Sequence, residues 1–245
     1  MNGLSQSDLD LLCQYDTPTI CNVIEIFDVR PRNQGYMDRR IKACYSDLPP
    51  IAGYATTATW RSDAPAREGG GYGSLDQQVA SFDKIPSPPI VVFQDLDDPP
   101  VAASFGEVMC STYKTFGAAG LITSGAARDL EQVRAIDFPV FSNGIICSHG
   151  YGHIEAVNIP IRVGGITVYP GDLLHGDCNG ITTIPNDIGS DVAHACADYV
   201  AAEDIVLNYL KESNPTPEGL AEARNACADE IAKLTERVVK KGADE

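Results

Sequence analysis

The chain has 245 residues, 44% of them hydrophobic, with 22 glycines and 16 prolines, a composition that suits a turn-rich globular protein and excludes a disordered one. Its formal net charge of −16 argues against a nucleic-acid or anionic-membrane surface, which needs clustered Lys and Arg, but leaves room for an anionic small molecule held by a well-placed cation. Eight scattered cysteines without a C-x-x-C pair, and an acidic N-terminus with no long apolar stretch, give no zinc ribbon, signal peptide or membrane span, so the cytoplasm is the expected compartment.

In chain order, two short helices come first. Ser5 and Asp8 frame an N-terminal cap ahead of "LDLL", and "DTPTICNVIEIF" has Thr17 as a second cap with Pro18 at the first helical position. "GYATTATW" (53–60) has the β-branched content of a strand, and a Gly-rich loop follows at 61–74. "IVVFQDL" (90–96) is a short apolar run bounded by Pro, suiting a buried strand. The alternation of helix (106–116), strand (119–123), small-residue turn, helix (128–136) and Pro-led strand (139–142) predicts parallel βαβ units. From 156 onward, short β runs divided by Gly-Gly, Pro-Gly-Asp and Asn-Gly predict hairpins, with Asp172 and Asp177 shaping turns. Two helices, roughly 188–212 and 216–241, close the chain. The expected organisation is an α/β domain over 1–187 and a helical extension over 188–245 for packing or oligomerisation.

The chemistry gathers at two adjacent strand-to-helix turns. In "SGAARDLEQ", Arg128 and Asp129 stand side by side after a small-residue turn. A carboxylate at a helix start is commonly a cap. Here the turn lies where open α/β sheets collect ligands, so Arg128 can grip a carboxylate in a two-pronged manner and Asp129 can hold a hard cation. In "SFGEVM", the backbone N–H groups of Glu107 to Met109 offer an anion site at a helix start, and Glu107 adds a second hard oxygen ligand. His149 and His153 in "SHGYGH" are spaced for zinc only on a helix, and the glycines between them argue for a loop. The lone Trp60 reads as packing at a strand end, and Lys114 and Arg134 as solvated helix charges.

The stretch "FGEVM…FGAAGLITSGAARDLEQVRAIDFPVFSNGI", followed by "VNIPIRVGGITVYPGDLLHGDCNGITTIP", resembles the RraA-like family, proteins similar to regulator of ribonuclease activity A. Its enzymatic members are 4-hydroxy-4-methyl-2-oxoglutarate and 4-carboxy-4-hydroxy-2-oxoadipate aldolases. The likeness runs from about Thr17 to Pro185, and its most specific piece is an acidic residue, twenty residues, then Arg-Asp, which Glu107 and Arg128-Asp129 fit.

The resemblance implies a compact α/β/β domain of the swivelling type, assembled as homotrimers or homohexamers with sites between subunits. It implies a divalent metal, Mg²⁺ or Mn²⁺, ligated by Asp129, by Glu107 through water, and by Glu203 of the partner subunit, with Asp204 beside it. Arg128 would take the carboxylate of a small 2-oxo acid at a helix start formed by Gly106, Glu107, Val108 and Met109. The implied activity is metal-dependent cleavage of 4-hydroxy-2-oxo di- or tricarboxylic acids to pyruvate, with oxaloacetate decarboxylation. The alternative is a non-catalytic protein that regulates a ribonuclease or helicase.

A Schiff-base route needs a buried lysine, and none of the seven lysines is an evident nucleophile, which favours the metal. A methyltransferase reading finds no G-x-G-x-x-G loop after a first strand. The chain departs from the family at Ser124, where Asp is frequent, at Glu107, where Asp is frequent, in the 61–74 loop, in "SHGYGH" and in its long C-terminus. Arg61, Arg67, His149 and His153 are therefore the expected readers of the substrate's far end.

Overall fold

The computed structural model describes residues 3–67 and 75–243. Its organising strand is β2 (Ile51–Arg61), buried over nearly its whole length. That is why "GYATTATW" lacks in–out alternation: a strand covered on both faces has no solvent side. Parallel to β2 run β3 (Pro89–Asp95), then β5 (Gly120–Thr123), then β7 (Val140–Ser142), with the short β1 (Lys42–Ala43) antiparallel at the edge. On the other side of β2, its first half pairs antiparallel with β11 (Leu173–Asp177), which turns into β12 (Gly180–Ile184). The second half of β2 pairs with β8 (His153–Val157) instead.

One face of this sheet is covered by α3 (Leu75–Ala80), α4 (Glu107–Thr115) and α5 (Leu130–Ala135), around a core that contains Trp60, Phe93, Tyr113, Leu121 and Phe138. The other face carries the hairpin of β9 (Ile161–Val163) and β10 (Ile166–Val168), packed over Ile90, Val92 and Ile122. Fully burying side chains of this kind stabilises by about 1.5–3 kcal/mol each. The layering is the expected α/β/β arrangement.

The helices α1 (Gln6–Leu12), α2 (Thr17–Glu25), α6 (Gly189–Tyr209) and α7 (Pro217–Ala243) form a further cluster with Ala52, Tyr54 and Leu173 of the sheet, through Leu9, Val23, Val192 and Leu234. The C-terminal hairpin thus shares its core with the N-terminal helices. Among the described residues, no helix is long and apolar enough to cross a membrane.

Two local expectations, the N-cap of α2 and the start of α5, are corrected. The N-cap of α2 is Asp16, whose carboxylate accepts the Thr19 N–H at 2.8 Å; Thr17 is already helical. Thr17 is drawn inward instead, its N–H donating to Asp177 at 2.9 Å and its hydroxyl lying 3.0 Å from His175 Nδ1. The helix expected from Arg128 begins only at Leu130. The loop expected over 61–74 gives way to α3 at Leu75, and its residues 68–74 lie outside the described residues.

Candidate active site

Two very short strands, β4 (Ala103–Phe105) and β6 (Ala126–Ala127), pair in parallel with Ala103 opposite Ala126 and Phe105 opposite Ala127. The pairing lays the start of α4 against the Arg128-Asp129 turn. Asp129 adopts a left-handed conformation (φ 54°, ψ 41°), which disfavours most residues but which Asp tolerates. Its side chain leaves its own helix uncapped and reaches across to α4, where Oδ2 accepts the Glu107 N–H at 2.9 Å. Arg128 Nε lies 3.8 Å from the same oxygen.

Gly106, the N-cap of α4, leaves room for the Asp129 and Arg128 side chains to lie close against the helix start. A Cβ there would stand 2.5 Å from Asp129 Oδ2 and 2.9 Å from Arg128 Nε. With no side chain to cap α4, the N–H groups of Val108 and Met109 have no acceptor among the described residues. A helix start with free N–H groups attracts anions. The expected constellation therefore assembles: Arg128, Asp129, Glu107 and two open amides meet at one edge.

Beside it lies a pocket of ≈ 340 Å³ whose lining includes Arg128, Gly106 and His149 at its polar edge, and Trp60, Leu75 and Phe105 as apolar wall. Trp60 was expected only to pack; it does stack edge-on against Phe93, with ring centroids 5.8 Å apart, and it also lines the pocket. Its buried indole Nε1 has no hydrogen-bond partner among the described residues. Trp60 and Leu75 carry no site motif, so sequence reading missed both. The one available signal was that the sole tryptophan stands at the end of a strand, where α/β ligands gather.

Other expected residues fall elsewhere. Arg61 is engaged by Asp63 and Glu155, each at 3.7 Å, and neither it nor the exposed Arg67 lines the pocket. His153 is buried, with Nε2 3.1 Å from Glu155 and Nδ1 2.8 Å from the Tyr151 carbonyl, so it ties down its loop. Lys114 donates to the Ile136 carbonyl and Arg134 pairs with Asp47 and Asp137, which makes both of them ties between segments. Asp172 accepts the Tyr169 N–H and Asp177 that of Asn179, the turn roles expected of them.

Ser124 accepts the Asp95 N–H at 2.9 Å, closing the end of β3. Asp95 keeps one buried oxygen, Oδ2, without a partner among the described residues, and burial pushes its carboxyl up to about 6. Glu203 sits on α6 near Asp16 and Asp204; burial first and those like charges second push its carboxyl up, and no contact within one protomer joins it to Asp129.

The donor set sets limits on a metal. Asp129 Oδ2 is occupied by the Glu107 N–H, while Oδ1 has no partner among the described residues. Among the described residues of one chain, no group of three or more His, Cys, Asp or Glu side chains converges there. That pattern fits an ion held by one or two carboxylates with much of its water retained, the habit of Mg²⁺, and not a dedicated protein cage.

The RraA-like family model (Aldolase/RraA) matches residues 17–183. The chain is 37% identical over 118 residues to a protein of Halalkalibacterium halodurans provisionally named 4-hydroxy-4-methyl-2-oxoglutarate aldolase; the match covers 44% of this chain and 56% of that relative. The chain thus spans about half the length of that curated relative. Among solved structures, an uncharacterised protein of Pseudomonas syringae superposes with a TM-score of 0.71 at 22% identity, covering 91% of this chain and 94% of the other. Streptomyces coelicolor RraAS2, described as an unusual member of the RNase ES inhibitor RraA protein family, superposes with a TM-score of 0.62 at 21% identity, covering 82% and 96%. At these identities the two structures speak to the fold alone.

Proposed function

The chain belongs to the RraA-like family, and from that premise we propose that it is a divalent-metal-dependent lyase that cleaves 4-hydroxy-2-oxo acids to pyruvate and a carbonyl product, and decarboxylates oxaloacetate. The observation that carries this reading is the bond from the Glu107 N–H to Asp129, because it locks the acidic and Arg-Asp turns into one constellation. The aldolase name carried by the 37%-identical relative supports the same reaction class.

Arg128 presents a planar fork suited to the substrate carboxylate, and the open N–H groups of Val108 and Met109 add donors at the positive end of α4. Asp129, with Glu107 through water, would hold Mg²⁺ or Mn²⁺. The bound ion supplies Lewis acidity toward charge that develops on the 2-oxo oxygen. In the cleavage, the C3–C4 bond breaks, its electron pair goes to C3, the 4-hydroxyl proton leaves and C4 becomes a carbonyl. C3 then takes a proton to give pyruvate. Oxaloacetate follows the same course with carbon dioxide as the departing fragment. Glu203 of the partner subunit completes the site in a homotrimer or homohexamer, since no group of three carboxylate, His or Cys side chains gathers there among the described residues of one protomer.

The test is pyruvate release from 4-hydroxy-2-oxo acids and oxaloacetate, with and without EDTA, followed by Mg²⁺ or Mn²⁺. Activity is expected to vanish in chelator and return with metal. Full turnover in EDTA would sink the metal route, and no turnover under any metal would favour a non-catalytic regulator of a ribonuclease or helicase.

A further inference from the structure

The joint that assembles the candidate site is too short to hold itself. Its strands β4 and β6 are three and two residues long, and their pairing shifts register between Ala103 and Phe105. A two-stranded pair of this kind is marginal on its own. Yet it sets the Arg128-Asp129 turn against the start of α4, where the Glu107 N–H meets Asp129. Its geometry must be imposed from outside.

A buried carboxyl group in the connection from β3 to β4 can impose it. Asp97 is 8% exposed, and its Oδ2 gathers three donors: the Ser62 N–H at 2.8 Å, the Ser62 hydroxyl at 3.0 Å and the Asp63 N–H at 3.1 Å. Ser62 is itself buried. Three donors on one oxygen suit a carboxylate, which accepts and does not donate, and a buried polar group is costly unless it is bonded in this way.

Two chains of contacts lead from this knot to the joint. In the first, the Asp97 N–H donates to Asp95 Oδ1 at 3.0 Å, and the Asp95 N–H donates to the Ser124 hydroxyl at 2.9 Å. Asp95 Oδ2 also lies so near Gly125 that a Cβ there would stand 2.3 Å from it. Ser124 and Gly125 run directly into β6 and the Arg128-Asp129 turn. In the second, the Ser62 carbonyl accepts the Tyr151 N–H at 3.0 Å, and three residues earlier the Ser148 carbonyl accepts the Ala103 N–H of β4 at 2.7 Å. The same segment is tied to β6, because the Ala127 N–H donates to Gly144 at 2.9 Å and the Ala127 carbonyl accepts the Ile146 N–H at 3.1 Å. One route reaches β6 and the other reaches both strands.

Resting on the lyase reading above, we propose that Asp97 is a positioning residue for the reaction. It holds β4 and β6 together from both sides, so that α4 and the Arg128-Asp129 turn keep the spacing that the site needs. Asp97 acts through Ser62 and Asp95 and touches neither the substrate nor the metal.

Three variants of the full-length protein test this. Asp97→Ala removes the knot and leaves three donors without their acceptor. Asp97→Asn keeps the volume and one acceptor oxygen. Asp98→Asn makes the same charge change on the exposed neighbour. Pyruvate release from oxaloacetate in Mg²⁺ is resolved into kcat and KM, and amide hydrogen exchange is followed residue by residue.

Since a misplacement of about 1 Å costs roughly 100-fold in rate, kcat should fall roughly 100-fold in Asp97→Ala and roughly 10-fold in Asp97→Asn. KM should stay within about 3-fold, because Arg128 still grips the substrate carboxylate. The Glu107 N–H should exchange roughly 10-fold faster in both variants, while Val91 and Val92 in the core of β3 keep the parent's rates. Asp98→Asn should change neither readout. If Asp97→Ala does not fold, Asp97→Asn decides by the same two measurements.

A kcat within about 3-fold of the parent's, an unchanged Glu107 exchange rate, or an equal loss in Asp98→Asn overturns the proposal. Failure of both Asp97 variants to fold overturns it as well, since Asp97 would then be a fastening of the whole chain. A parent that releases no pyruvate under any metal means that the lyase reading has failed, and the Glu107 exchange then still decides whether Asp97 holds the joint. Parent turnover with unchanged exchange in the variants means that only the Asp97 assignment has failed.

Discussion

Two buried polar regions flank the central strand, and they are finished differently. Under the N-terminal helices, His175 on β11 is fully enclosed, with Nδ1 3.0 Å from the Thr17 hydroxyl and Nε2 3.1 Å from the Leu12 carbonyl. Asp177 takes the Thr17 N–H and that of Asn179. Every polar group has its partner, and the cluster fastens α1 and α2 to the sheet. At the opposite end of the parallel strands, among the described residues, the buried Trp60 Nε1 and Asp95 Oδ2 have no partner and the Val108 and Met109 amides have no acceptor. Since an unmade buried hydrogen bond costs about 1–3 kcal/mol, the difference is informative. A fastening closes on itself, whereas a binding edge leaves its donors for something that arrives later.

The sharpest way to break this contrast is to remove the centre of the open region. Asp129→Ala should lower kcat for pyruvate release by at least about 1,000-fold, roughly 4 kcal/mol of transition-state stabilisation, while Tm stays within a few degrees. If the partner subunit's Glu203 completes each site, mixing the inactive Asp129→Ala and Glu203→Ala chains should restore part of the activity on reassembly. A variant that loses its fold along with its activity would put Asp129 among the fastenings. Gly106→Ala is a gentler probe. The new methyl would stand 2.5 Å from Asp129 Oδ2, so the carboxylate must move. A displacement of about 1 Å at such a site costs roughly 100-fold in rate, with little change in thermal stability expected. Unchanged kinetics would show that the close approach is not needed for turnover.

The legibility of the two regions in the sequence differs for the same physical reason. Long periodic or apolar segments declare themselves: β2, β3, β5, α4, α6 and α7 lie where apolar runs, Gly and Pro placed them. So do Glu107 and Arg128-Asp129, through their spacing. The joint between them was not readable, because β4 and β6 are three and two residues long and carry no period. The left-handed turn at Asp129 was hidden as well; local preference reads such an Asp as the cap of its own helix, and only the tertiary pairing turns it toward α4. The Thr17 cap failed likewise, because His175 and Asp177, far away in sequence, compete for that residue. Trp60 was legible as core and illegible as wall, since a side chain can be both.

The smallest expected effect compares the two buried ionisable groups directly. Burial lowers His175 from 6.5 to about 4. Between those values the unfolded chain binds the extra proton, so the stability from neutral His175 is complete above 6.5 and is lost as pH falls toward 4. Asp95 runs the other way. Burial raises its carboxyl from 3.8 to about 6, so in that window the folded chain holds the extra proton; stability is complete below 3.8 and is lost as pH rises through 6. Between about pH 4 and 6 the two slopes oppose each other. Asp95→Asn keeps the shape, removes the titration and leaves His175 unopposed. Relative to the parent, the variant should therefore gain about 1.4 kcal/mol between pH 5 and pH 7.5, or roughly 3–6 °C in Tm, whatever constant offset the amide introduces. Scanning calorimetry of both proteins across that range gives the answer. A Tm difference that does not change with pH would mean that Asp95 is already ionised in the folded chain, and that its unpartnered oxygen has found a counter-charge at the open edge.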